Sequence, residues 1–161
     1  MTVDTKQSKT VDGRTIISVD AMGGDRGPAA VVAGISYSAK KNPDIGFILH
    51  GPKSTLEKLV AKKKSLAGRV DIRDATDVVS MEDKPSQVMR NGKSTSMWSA
   101  IESVRNGEAE SVVSCGNTGA LMMLSVVRLR KLPGVNRPAI AVLWPSRSAQ
   151  GFNIMLDGGA D

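Results

Sequence analysis

The sequence predicts an α/β fold, a three-layer α/β/α sandwich built on a mostly parallel sheet. Short apolar runs alternate along the chain with amphipathic helical segments, which is typical of strand–helix units forming a parallel sheet covered on both faces. Glycine-containing turns follow most of these apolar runs. The 161 residues are 40% hydrophobic, enough for a core, and only 3% aromatic, so the core is expected to consist of aliphatic residues and methionine.

Three strands and two helices are predicted in the first half of the chain. Residues 14–20 and 45–50 are apolar runs of strand length, and residues 69–73 form a weaker third strand. Pro28 suits the start of a helix, because proline lacks an N–H that the first turn leaves unpaired anyway. The second helix is predicted from Ser54 and Glu57, which have the spacing of a capping box.

The second half begins with a long irregular segment, residues 74–94, and loops of that length in compact domains are often functional. A helix over 96–106 is expected to stop at Gly107. A strand at 111–115 and a helix at 118–132 follow.

The last apolar runs, 139–144 and 152–156, are too close together for a helical crossover, so a hairpin is predicted. Residues 1–13 are polar and are expected to be a flexible tail. Residues 14–161 are expected to be the N-terminal part of a single domain.

Composition narrows the classes of function. The single cysteine excludes an intrachain disulfide and a cysteine-based zinc site, and cytoplasmic localisation is the default. There is no apolar run of membrane-span length. The net charge of +6 suits an acidic partner, but basic residues are not interleaved with aromatics, so nucleic-acid binding is not expected. The lysine run 62–64 is interpreted as a solvated helix end.

The informative residues directly follow the predicted strands, where ligands bind in open parallel sheets. Asp20, Gly23, Gly24 and Asp25 follow the first strand, and residues 116–119 (Gly-Asn-Thr-Gly) follow the strand at 111–115. The second turn has the features of an anion site at a helix N-terminus, although a simple capped helix explains it equally well. The glycine spacings match neither the dinucleotide fingerprint nor the P-loop, so no NAD or ATP cofactor is predicted.

Other polar residues are weaker candidates. Lys93, Ser94 and Ser96 could bind a phosphate, although helix capping by either serine is the simpler explanation. His50, the only histidine, is interpreted as structural, and Cys115 as a small buried residue. Three carboxylates could meet at a metal, but capping is favoured for them and no metal is predicted; they are Asp20, Asp25 and Asp157.

Four motifs occur in a recognisable order. They are residues 19–25 (VDAMGGD), 114–122 (SCGNTGALM), 137–139 (RPA) and 156–160 (LDGGA). From about Thr15 to its end the chain resembles the acyl-acyl carrier protein:phosphate acyltransferases of the PlsX type. It departs from that family at residues 90–96, which are usually richer in basic residues, and at Asp161, where asparagine is common.

The resemblance implies a fold related to phosphotransacetylases and isocitrate dehydrogenases. It implies that an acylated carrier protein and inorganic phosphate give acyl phosphate and free carrier protein, without metal or cofactor, for phospholipid synthesis. It also implies a homodimer, and peripheral membrane contact through a C-terminal half that this chain lacks. The expected catalytic residues are Asn117, Thr118 and Lys93; the expected substrate-binding residues are Asp20, Gly23, Gly24, Asp25, Ser94, Ser96, Gly116, Gly119 and Asp157.

Alternatives remain open at this point. Family members are about twice as long, so the 161 residues are expected to lack turnover and to act as a non-catalytic fragment that binds the carrier protein. A phosphotransacetylase acting on acyl-coenzyme A is the second enzyme hypothesis. A basic nucleic-acid binder is the remaining alternative.

Overall fold

The computed structural model describes residues 13–135 and 138–156. The chain divides into two compact units between Leu129 and Arg130, and each is described by itself. The strands and helices of the first unit are β1 (Thr15–Asp20), α1 (Gly27–Lys41), β2 (Ile45–Gly51), α2 (Lys53–Ala61), β3 (Val70–Asp74), α3 (Pro85–Asn91), α4 (Ser96–Arg105), β4 (Ser111–Val113) and α5 (Thr118–Leu129). The second unit contains β5 (Ala141–Pro145) and β6 (Phe152–Leu156).

The four strands of the first unit form one parallel sheet in the order β3-β2-β1-β4. Asp20 at the end of β1 is the register partner of His50 in β2. Since all four strands run in the same direction, the segments that follow them meet at one edge of the sheet. The predicted α/β fold with a mostly parallel sheet is confirmed.

Two apolar clusters lie on the two faces of this sheet, as a three-layer sandwich requires. One contains the inward residues of α1 and α2 with Val19 and Leu49 from the strands. The other contains Met97 and Ile101 of α4 with Leu124 of α5. Alternation along β1 separates the faces: Ser18 and Asp20 contact α4, while Val19 belongs to the first cluster.

Several sequence-based predictions about helix ends were wrong. Ser54 and Glu57 form no capping box; α2 begins at Lys53, whose N–H is instead accepted by Asp74 Oδ1 at 2.9 Å. Neither Ser94 nor Ser96 caps α4, because Thr95 Oγ1 accepts the Trp98 N–H at 3.3 Å.

Three segment predictions also need correction. The 74–94 segment is not wholly irregular, since it contains α3 and a 3₁₀ turn at Gly92–Ser94. The predicted helix over 118–132 ends earlier, at Leu129, and Arg130 has a left-handed backbone with φ of 69°. The strand predicted for 111–115 is limited to Ser111–Val113, and Cys115 beyond it is exposed rather than buried.

The second unit is the predicted hairpin. Strands β5 and β6 pair antiparallel, with Leu143 opposite Ile154, and a Ser148–Gly151 backbone hydrogen bond lies in the connecting turn. The predicted tail over 1–13 lies almost entirely outside the described residues, as does Asp157. Among the helices that the structure describes, none combines the length and apolar character needed to cross a bilayer.

Candidate functional site

A buried carboxylate joins three elements at the carboxyl edge of the sheet. Asp20, at the end of β1, is only 2% exposed. Its Oδ1 accepts hydrogen bonds from Ser96 Oγ at 2.6 Å and from the Met22 N–H at 3.2 Å. Its Oδ2 accepts one from Ser114 Oγ at 2.7 Å. Asp20 therefore holds the start of α4 and the end of β4 against β1, and we call this cluster of Asp20, Ser96 and Ser114 the Asp20 junction.

Two glycines let the backbone pass close to the Asp20 junction. A Cβ on Gly23 would lie 2.7 Å from Ser114 Oγ and 2.8 Å from both Asp20 Oδ2 and the Gly116 nitrogen. A Cβ on Gly116 would lie 3.3 Å from Gly23 Cα. The turns after β1 and β4 are thus in direct backbone contact. The close approach therefore excludes a side chain at Gly23, whereas one at Gly116 would need its neighbours to shift by a few tenths of an ångström.

Asn117 connects this turn to the preceding loop. Its Nδ2 donates to the carbonyl oxygens of Ser80, Met81 and Asp83 at 3.1, 3.2 and 2.9 Å. Its Oδ1 accepts the Ala120 N–H at 3.0 Å, so Asn117 is the N-cap of α5. The capping role considered from the sequence is confirmed. Because both ends of the amide are engaged, the side chain positions the loop and the helix rather than facing an open cleft.

The first turn of α5 provides free donors next to the junction. In the part of the chain that the structure describes, the N–H groups of Thr118 and Gly119 have no acceptor. Thr118 itself is exposed. Two unpaired N–H groups at the positive end of a helix macrodipole favour an anion. The donors that an anion could use in this turn are therefore backbone N–H groups.

The segment 93–96 is divided between two roles. Ser96 is buried in the Asp20 junction, and the Ser94 hydroxyl donates to the Asp77 carboxylate. Lys93 is exposed, and within residues 13–135 and 138–156 no carboxylate pairs with it. The two serines that sequence reasoning assigned to substrate therefore have protein partners, whereas Lys93 remains available as a cation.

Two further predicted residues, Gly24 and Asp25, lie in the turn between β1 and α1. Gly24 has φ of +96° and lies against Cys115, to whose Cβ an added Cβ would come within 3.1 Å. Asp25 is exposed at the start of the α1 segment. Among the described residues no group of three or more histidine, cysteine or acidic side chains converges as metal ligands.

An apolar cavity of about 590 Å³ opens beside the Asp20 junction. Its polar end is lined by the turns after β1 and β4, with Gly23, Gly24, Ser114 and Cys115. Its other walls come from β1, β2, β4 and the exposed face of α1; they include Ile17, Ala30, Val31, Gly34, Phe47 and Val113. The volume lies within the roughly 300–1,000 Å³ range of ligand pockets.

His50 lies in β2 beside Asp20 and has no solvent exposure. Its Nε2 is 2.9 Å from Ser18 Oγ and its Nδ1 is 2.8 Å from Ser99 Oγ. Burial, reinforced by the nearby Arg73 charge, lowers the pKa of His50 to about 4. These contacts agree with the structural interpretation made from the sequence.

Comparison with known proteins adds to this geometry. Residues 15–161 match the family model described as "Fatty acid synthesis protein". The chain belongs to this fatty acid synthesis protein family. Its relatives include a phosphate acyltransferase of Ruegeria sp. (strain TM1040), 75% identical over 161 residues, and one of Ruegeria pomeroyi, 69% identical over the same length.

In both comparisons the whole chain is matched, but it spans only 43% of each relative's length. A phosphate acyltransferase of Roseobacter denitrificans is 68% identical, with 45% of its length covered. The family resemblance inferred from the four motifs is confirmed. The matched residues are the N-terminal part of these fatty acid synthesis proteins.

Sequence reasoning missed several residues of the site. Ser114, which joins Asp20 to the Gly116 N–H, was noted only as part of a motif. Asp77, which accepts from Ser94, and the role of Thr95 as the N-cap of α4 were also missed. The signal that could have found Ser114 is its place one residue beyond a strand that is parallel to β1, at the same sheet edge as Asp20.

Proposed function

We propose that the protein acts as a phosphate acyltransferase that moves an acyl group from the thioester of acyl carrier protein to inorganic phosphate. A phosphate oxygen attacks the carbonyl carbon, the carbon–sulfur bond breaks, and the carrier leaves as a thiolate that takes a proton from solvent. The observation that carries the proposal is the pair of free N–H groups, of Thr118 and Gly119, beside the Asp20 junction. Membership of the family and the names of its relatives support it.

The reaction does not require strong acid or base catalysis by side chains. Phosphate is already negatively charged near neutral pH and a thiolate is a fair leaving group, so positioning and charge stabilisation are the main requirements. In this proposal the backbone donors of α5 hold the phosphate or the developing oxyanion, and Lys93 adds positive charge. Asn117 positions the α5 turn, and the Asp20 junction holds Gly23 and Gly116 in place.

The apolar cavity supports an acyl donor rather than a small polar one. Its polar end adjoins Ser114, where the thioester carbonyl would lie, and its walls would cover an alkyl chain. Gly34 offers a direct test, because it lines the cavity and a Cβ there would meet no atom within 4 Å, so a larger side chain would occupy cavity space. We expect Gly34→Leu to lower activity with long acyl chains and to leave short chains nearly unaffected. Ala33→Leu is the matched control, because Ala33 is also exposed on α1 but does not line the cavity.

Activity is best tested by joining this chain to the remaining C-terminal part of the Ruegeria sp. relative. The chimera should release free carrier thiol from acylated carrier protein only when phosphate is present. The relative itself is the positive control. If the relative turns over and a folded chimera does not, the proposal fails. Acetyl-coenzyme A as the donor tests the phosphotransacetylase alternative in the same assay.

The 161-residue chain alone is the second arm of this experiment. We expect it to bind acylated carrier protein without releasing thiol. Its net charge of +6 favours contact with an acidic carrier. Turnover by the isolated chain would overturn the non-catalytic expectation. Dimer formation and peripheral membrane contact stay predictions for the whole protein, measurable by analytical ultracentrifugation and vesicle sedimentation.

A further inference from the structure

Helix α4 is attached to the sheet by hydrogen bonds at three successive points. Ser96 donates to Asp20 Oδ1, Ser99 lies 2.8 Å from His50 Nδ1, and the Ala100 carbonyl accepts from Ser18 Oγ at 2.8 Å. Asp20 and His50 are register partners in adjacent strands, so these contacts lie side by side on one face. Apolar contacts tolerate sliding of a helix along a sheet, whereas hydrogen bonds weaken steeply when their geometry changes.

The contacts determine where the protons are. A carbonyl can only accept, so the single hydroxyl proton of Ser18 is donated to Ala100. The contact between Ser18 Oγ and His50 Nε2 then requires the proton to be on Nε2. In the neutral ring Nδ1 is therefore an acceptor, and Ser99 is its donor. The three hydrogen bonds therefore run in one direction from donor to acceptor: Ser99 donates to His50, His50 to Ser18, and Ser18 to Ala100.

We infer that His50 is a positioning residue for the site. It fixes the position of α4 along the sheet and thereby maintains the hydrogen bond from Ser96 to Asp20. Ser96 is one helical turn before Ser99 and Ala100, so a shift of the helix that lengthens the Ser99–His50 contact also lengthens the Ser96–Asp20 contact. Through Ser114, the Asp20 junction then controls the Gly116 turn that precedes the free N–H groups of α5. The catalytic consequence rests on the proposed function, but the structural coupling does not.

Amide hydrogen exchange in the 161-residue chain tests the coupling without any assay of activity. The Met22 N–H is bound to Asp20 Oδ1 and the Gly116 N–H to Ser114 Oγ, so both amides report on the junction. We expect His50→Leu to accelerate their exchange at least tenfold more than that of the Leu66 amide, which lies in the cluster of the opposite face. His50→Gln, which keeps a donor toward Ser18, should restore most of the protection.

Two further readouts make the inference specific. Because the chain has one histidine, its ring nitrogens give a single set of NMR signals, and these should show the neutral Nε2–H tautomer. In the active chimera, His50→Leu should lower kcat/KM for phosphate about 10- to 100-fold, with His50→Gln within a few-fold of the parent. Leu66→Ala, a destabilising change on the other face, is the matched control and should leave kcat/KM of the folded fraction unchanged.

The outcomes are separable. Equal acceleration of the junction and Leu66 amides in His50→Leu, or an Nδ1–H tautomer, overturns the positioning role whatever the activity. Selective acceleration in the chain together with an inactive chimera supports the coupling and defeats the proposed function instead. Equal losses of kcat/KM in His50→Leu and Leu66→Ala would reduce His50 to a merely structural residue.

Discussion

Replacing Asn117 by aspartate separates the two functions of this side chain. The change keeps an oxygen for the Ala120 N–H, so the helix cap survives and the new negative charge suits the α5 N-terminus. The two amide protons are lost, however. The three carbonyl oxygens of Ser80, Met81 and Asp83 then face a carboxylate oxygen instead of a donor.

The expected cost follows from the number of bonds. Two amide protons shared among three carbonyls correspond to about two net hydrogen bonds, or about 1–3 kcal/mol. The repulsion between the carboxylate and the partial negative charges of the carbonyl oxygens adds about 1–2 kcal/mol, and a more favourable interaction with the helix dipole returns about 0.3–1 kcal/mol. We therefore expect Asn117→Asp to lower the free energy of unfolding by about 2–4 kcal/mol. Asn117→Ser, which keeps only the cap, lacks the repulsion and should cost less.

Urea unfolding at equilibrium, with the slope checked for constancy, measures these differences. Proteolysis after the exposed Glu82 with a glutamate-specific enzyme measures detachment of the loop directly. Cleavage should be faster in Asn117→Asp than in Asn117→Ser. If Asn117→Asp is as stable as the parent chain, or if its loop resists cleavage equally, the three carbonyl contacts do not anchor the loop and the reasoning is refuted.

Three more predictions concern the same edge of the sheet. Gly23→Ala should lower the free energy of unfolding by about 1–3 kcal/mol, because its Cβ would overlap three polar atoms. Gly34→Ala should raise this free energy by about 0.5–1 kcal/mol, because its Cβ meets no atom within 4 Å. The midpoints of urea unfolding measure both changes. Ser114→Ala should cost about 1–3 kcal/mol and accelerate exchange of the Gly116 amide, since both of its bonds are lost; unchanged exchange would contradict the junction. Acidification from about pH 6.5 to 4 should lower the free energy of unfolding by about 3 kcal/mol. The reason is that His50 takes up a proton in the unfolded chain, whereas in the folded chain the buried ring stays neutral. His50→Gln should flatten this part of the pH–stability curve.

Local sequence patterns were sufficient for much of the fold. The apolar runs that became β1, β2 and β3, the proline-started helix α1 and the β5–β6 hairpin were all predicted, because each depends on residues close in the chain. Errors occurred where a distant residue replaced a local partner. Asp74 binds the Lys53 N–H in place of a capping box, and Ser94 donates to Asp77 while Thr95 caps α4.

The candidate site was predicted as a set of positions, but its side-chain roles were not. Their positions directly after predicted parallel strands indicated that Asp20, Gly23 and the residues 116–119 lie at one edge of the sheet, and the structure brings the Asp20 and Gly116 segments into contact. Ser96 was assigned to substrate binding and Asn117 to catalysis. In the structure their hydrogen-bonding groups are bound by protein atoms.

What the sequence by itself determined is the fold class, the order of the strands and of every helix except α3, and the family, because hydrophobic periodicity and linear motifs are properties of neighbouring residues. Only the tertiary structure decided which polar groups are free. Ser18, Asp20, His50 and Ser114 are distant in sequence from the groups that they bind, and parallel pairing of β1 with β2 and β4 brings them together. A hydrogen bond depends on atomic positions within a few tenths of an ångström, and the spacing of residues along a chain does not contain that information.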